Sequence, residues 1–141
     1  MGATPGTGKA APGTGSVPRT NGYKNHSFAA RVSYALQGLS HGLRAEASLR
    51  TQAIMFVAAL VALTVLRPGA VWWALVLLAS AAVVSAELIN TAIEHLADLL
   101  HPQQSPAVRM VKDCAAAGVL IAVLGALGVA AALLVHLLLA P

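Results

Sequence analysis

Glu87, Asn90, Glu94 and Asp98 recur at spacings of three, four and four in the stretch SAELINTAIEHLADLLHP, residues 85–102. On an α-helix this spacing puts all four side chains on one face, within about 80° of arc. Leu88, Ile89, Ala92, Ile93, Leu96, Leu99 and Leu100 fill the opposite sector. Grouped carboxylates suit Mg²⁺, a hard cation that takes one or two of them and completes its shell with phosphate oxygens. A further carboxylate can accept the proton of a hydroxyl. Lys112 and Arg50 are placed to neutralise phosphate charge, so the parts of a phosphoryl-transfer site are present.

The elements that must position these residues are membrane helices. Of 141 residues, 57% are hydrophobic and only 10% charged, which excludes an ordinary soluble domain. Three apolar stretches stand out: Thr51 to Leu66, Gly69 to Leu100, and Cys114 to Ala140. The first would span only about 24 Å as helix, against a hydrocarbon core of about 30 Å. It must recruit residues before Arg50, tilt little or thin the bilayer. The other two are long enough to cross.

Eight of the nine Lys and Arg residues fall on one side of these spans, and only Arg67 falls on the other. That asymmetry makes the basic side cytoplasmic. The five acids, Glu46, Glu87, Glu94, Asp98 and Asp113, all map to the cytoplasmic ends of membrane segments, so three helices are expected to bring acids and cations to one depth. A simpler reading lets the end of the second span leave the hydrocarbon and expose its polar groups to water. That accounts for Asp98 better than for Glu87, which falls near the inner hydrocarbon boundary, where an ionised carboxylate costs about 2.5–3.5 kcal/mol on insertion scales. The high isoelectric point, about 9.9, reflects charge beside apolar spans. Anionic lipid headgroups account for it, and no nucleic-acid partner is expected. The single cysteine, Cys114, excludes a disulfide within these residues and reads as a small residue packed in a helix.

Residues 1–26 are rich in Gly, Pro, Ser and Thr, hold no apolar core long enough for a signal peptide, and read as a disordered tail. Within them TPGTGKAAPGTG imitates a phosphate-binding loop, but Ala3 and Ala10 stand where that loop needs a glycine and a hydroxyl. Residues 27–141 form the membrane domain. A surface helix is expected at 28–45, because Phe28, Val32, Ala35, Leu36, Leu39 and Leu43 make an apolar stripe on an otherwise basic segment. Gly38 and Gly42 weaken it, so docking against other helices should help. Transmembrane helices are expected at about 48–66, 70–100 and 107–140. Pro68-Gly69 turns between the first two, with Trp72 and Trp73 as outer interfacial aromatics. Pro102 ends the second, and Ser105 caps the third with Pro106 at its first position. The short connection should set Arg109, Lys112 and Asp113 beside Glu94 and Asp98.

The motif AELINTAIEHLADLL, with YALQGLSHGLRAEASLRTQ before the first span and VRMVKDCAAAGVLI entering the third, resembles the small prokaryotic diacylglycerol kinases, a family that includes the undecaprenol kinases. The resemblance runs from residue 28 to about 125. It implies an all-α integral membrane protein of the bacterial inner membrane: a surface helix and three transmembrane helices per chain, assembled as a homotrimer with shared active sites on the cytoplasmic face. It implies MgATP as co-substrate and a lipid alcohol as acceptor, diacylglycerol giving phosphatidic acid or, alternatively, undecaprenol. By resemblance, Glu87 is the general base on the lipid hydroxyl. Glu46 and Glu94 are Mg²⁺ ligands, Asn90 orients nucleotide or base, and Lys112 and Asp113 bind ATP. Arg50 and Asp98 take supporting roles. The sequence departs from the pattern at Ala45, often Asn in the family, and at Gln52, where some members carry an acid; His95 reads as an interface residue.

Two other classes stay open at this point. A small transporter would line a pathway with acids at several depths. A non-catalytic assembly protein would keep the fold while losing the carboxylates.

Overall fold

The computed structural model describes residues 27–103 and 105–139, which form four helices: α1, Phe28–Ala45; α2, Ala47–Leu66; α3, Ala70–Leu100; and α4, Pro106–Leu139. The tail of residues 1–26, and Ala140 and Pro141 at the other end, lie outside the described residues. No strand occurs among the described residues. α2, α3 and α4 are each long and apolar enough to cross a membrane.

Local chemistry fixes each helix end. Ser27 caps α1, its hydroxyl accepting from Ala30 N at 3.3 Å. α1 stops where Glu46 turns extended, at φ −104° and ψ 124°, and donates its own N–H to Gly42 O at 2.8 Å. Glu46 also stands at the N-cap of α2, so the first carboxylate occupies the hinge between the two helices. The start of α2 at Ala47 resolves the shortage in the first apolar stretch. Ala47 to Arg50 join the helix and bring it to about 30 Å, the thickness of the hydrocarbon core.

Arg67 closes α2 in the left-handed conformation, φ 49° and ψ 47°, donating its N–H to Leu63 O. It is the one non-glycine residue with positive φ among the described residues, and it makes the reversal into Pro68-Gly69 possible. At the other end of α3, His101 N donates to Ala97 O before Pro102 stops the helix. α4 begins as its sequence dictates: Ser105 Oγ accepts from Val108 N at 3.3 Å with Pro106 in the first turn.

α3 is the centre of the fold. It packs along α4, meets α2 on another side, and is touched by α1. The tightest point is Gly42. A Cβ there would lie 2.8 Å from Leu49 Cδ1 and 3.0 Å from Leu88 Cδ2, so α1 reaches α2 and α3 through the missing side chain. Leu49, Leu63 and Val83 are the buried hydrophobic residues. The apolar residues of α1 that precede this crossing, Phe28, Val32 and Leu36, are exposed. At the far end, the Trp72 ring on α3 stacks at 5.2 Å and 32° against His136 on α4, joining the start of one long helix to the end of the other.

Candidate active site

Glu87 is the buried charged residue of the fold, with 7% of its surface accessible. It lies one turn beyond Val83 on the face of α3 that is turned into the bundle. No described residue gives it a hydrogen bond or an ion-pair partner. A carboxylate held in that setting is costly unless something else compensates.

The next turns of the stripe are organised by side chains on α3 and α4. Asn90 Nδ2 donates to Glu94 Oε1 at 2.9 Å, a contact between side chains four residues apart that the helix repeat makes available. The other amide atom, Asn90 Oδ1, is buried without a donor among the described residues. One turn further, Asp98 accepts a charge-assisted hydrogen bond from Lys112 Nζ on α4. Arg109 pairs with Asp113 on α4 itself, at 3.7 Å with both side chains largely exposed. Arg109, Lys112 and Asp113 thus stand around the same cleft as Asp98.

At this end of the molecule an open cleft of about 680 Å³ separates the end of α3 from the start of α4. Asp98, His101, Ser105, Arg109, Lys112 and Asp113 line it. Two cations and two acids line it, paired as Lys112 with Asp98 and Arg109 with Asp113. His101 and Ser105 were not among the sequence candidates; Ser105 had been assigned to capping α4.

Glu46 approaches α3 from the hinge. Its Oε1 lies 3.9 Å from His95 Nε2, and His41 of α1 meets the His95 ring edge-on at 6.3 Å. Arg50 is turned elsewhere: its guanidinium donates to Arg44 O at 3.1 Å and staples the end of α1.

Among the described residues no group of three or more His, Cys, Asp or Glu side chains is close enough to hold a metal. Glu46 at the hinge lies toward His95, and Glu94 accepts from Asn90. The donor set fits a cation completed by phosphate oxygens and does not fit an all-protein cage.

Fold and site together define a class: a helical membrane protein with three helices long enough to span, a buried carboxylate in the middle of α3 and a charged cleft where α3 gives way to α4. The sequence model of the prokaryotic diacylglycerol kinases matches residues 33–134. A diacylglycerol kinase of Synechocystis sp. is 34% identical over 102 residues, which cover 72% of this chain and 58% of that protein. The chain belongs to the prokaryotic diacylglycerol kinase family. The match thus spans less than two thirds of the length of that relative.

Proposed function

We propose that this protein is a lipid kinase that transfers the γ-phosphoryl group of ATP to the hydroxyl of a membrane lipid alcohol, diacylglycerol in the first place. The observation that carries the reading is Glu87, a buried carboxylate with no structural partner, one turn from the Asn90–Glu94 pair and on the same helix as one wall of the charged cleft. Family membership supports the same chemistry.

Each residue then has a defined task. Glu87 accepts the proton of the lipid hydroxyl as its oxygen bonds to the γ-phosphorus, and the bond to the bridging oxygen of ADP breaks. A base positioned within hydrogen-bond reach of its proton donor raises a rate about 10²–10⁴-fold. Lys112, which Asp98 holds at the mouth of the cleft, turns to the phosphates with Asp113 beside it at the adenosine end. Asn90 orients the nucleotide or the base. Glu46 and Glu94 would hold Mg²⁺, which would supply charge neutralisation for the phosphates of the nucleotide. Catalysis is then mainly positioning and charge neutralisation.

The distribution of basic residues supports a cytoplasmic N-terminus and a site facing the cytoplasm in a bacterial inner membrane, with α1 lying on the bilayer surface. The described residues of one chain hold no group of three or more metal-ligating side chains, and a homotrimer with sites shared between subunits is the assembly this reading favours. Purified protein in mixed micelles with MgATP, offered diacylglycerol and undecaprenol side by side, tests the reading. Phosphatidic acid is the expected main product. Preference for undecaprenol reassigns the acceptor, and turnover of neither removes the proposal.

A further inference from the structure

Of the two proposed metal ligands, Glu94 is carried by a helix and Glu46 is not. The Glu46 backbone is extended, φ −104° and ψ 124°, between the end of α1 and the start of α2, so neither helix sets the direction of its side chain. It stands at the N-cap of α2, where the free N–H groups of the first turn attract a carboxylate. Yet it makes no side-chain capping hydrogen bond. The carboxylate leans instead toward α3, where its Oε1 lies 3.9 Å from Nε2 of His95.

His95 is placed to decide between those two directions. It follows Glu94 directly on α3, so the ring that meets Glu46 is one residue from the other proposed ligand. On its far side, His41 of α1 meets the His95 ring edge-on, with 6.3 Å between centroids and 75° between planes, and restricts how that ring can turn. The 3.9 Å separation is about 1 Å longer than an N–H···O hydrogen bond. Both side chains are partly exposed, 55% for His95 and 34% for Glu46, which leaves room to close the gap. A neighbour that donates to a metal-ligating carboxylate fixes its direction and tightens the site.

We infer that His95 is a positioning residue for Glu46: its Nε2–H donates to one carboxylate oxygen and turns the other away from the N-terminus of α2, toward the turn of α3 that carries Glu94. His41 braces the ring. The inference deepens the lipid-kinase reading, on which it rests for the assignment of Glu46 to Mg²⁺. The competing role is purely structural, with His95 fastening the hinge to α3 whatever Glu46 does.

Two measurements on the full-length protein in mixed micelles separate these. The first needs no turnover: affinity for the Mn²⁺ complex of a non-hydrolysable ATP analogue, read by electron paramagnetic resonance. His95→Ala should weaken it about three- to ten-fold, at or below the low end of the roughly 10–100-fold cost of losing such a partner, because this pair is partly exposed. His95→Gln, which keeps a donor at a similar reach, should stay within about two-fold of wild type. In a Glu46→Gln background His95→Ala should add nothing, since the carboxylate it orients is gone. The second is kinetic. His95→Ala should raise the Mg²⁺ concentration for half-maximal activity by a similar factor and leave the KM for the lipid unchanged.

Mn²⁺ affinity unmoved by His95→Ala, or lowered as much with Glu46→Gln as without it, overturns the inference and leaves the kinase reading standing. A His95→Ala protein that loses helical content, with no recovery of affinity in His95→Gln, assigns His95 to packing and also overturns it. Loss of Mn²⁺ affinity that depends on Glu46, in a protein that phosphorylates no lipid alcohol, keeps the inference and sinks the kinase reading.

Discussion

Lys112 on α4 donates to Asp98 on α3, fourteen residues earlier in the chain, and so closes the turn between the two longest helices on its charged side. The pair is partly exposed, with 32% of the Lys112 and 64% of the Asp98 side chain accessible. Pairs of this kind contribute about 0–1 kcal/mol to stability. Lys112→Met should therefore lower the melting temperature little while raising the KM for ATP at least about ten-fold, the equivalent of about 1.4 kcal/mol of lost phosphate binding. Asp98→Asn should perturb ATP binding less, since the cation remains. Steady-state kinetics at fixed lipid and variable ATP separate the two variants.

Contact between Lys112 and Asp98 was legible in the sequence, because a short connection after Pro102 forces α3 and α4 to be antiparallel neighbours. So were the three apolar helices and the Ser105-Pro106 start of α4, which follow from length, hydropathy and capping chemistry alone. The Asn90–Glu94 bond follows from the helix repeat. Other features were not legible. Arg50 stapling Arg44 O, Arg67 in the left-handed conformation and Glu46 drawn to His95 depend on where one helix axis stops and at what register the next one passes it. Periodicity within a helix carries no information about that register.

Gly42 gives the clearest case of register made visible by structure. A methyl group at this position meets Leu49 and Leu88 at 2.8 and 3.0 Å, while one at Gly38 meets nothing within 4 Å. Gly42→Val should destabilise the chain by about 1–3 kcal/mol through overpacking and loosen α1 from the bundle. Gly38→Ala should be neutral or stabilising by about 0.4–1 kcal/mol, since a helical glycine is replaced without contact. Unfolding by denaturing detergent in mixed micelles, read by helical circular dichroism, checks the contrast. Equal effects at the two positions would contradict the close crossing.

Asn90 and Glu94 should act as a unit in the response to Mg²⁺. Glu94→Gln removes a ligand charge and should raise the Mg²⁺ concentration for half-maximal activity about ten-fold or more. Asn90→Ala leaves the carboxylate but frees it from the amide that orients it, and should produce a smaller shift in the same direction. A double variant no worse than Glu94→Gln alone would show the coupling directly. Unchanged metal dependence in both would remove Glu94 from the ligand set.

The central claim is that the partnerless carboxylate of Glu87 takes the proton of the lipid hydroxyl. Transfer of radiolabelled γ-phosphate from ATP to diacylglycerol by the Glu87→Gln variant, compared with wild type at saturating ATP and lipid, tests it most directly. The account predicts a fall in kcat of about 10²–10⁴ with ATP binding and helical content preserved. A variant that retains more than about a tenth of wild-type kcat at full folding would contradict it.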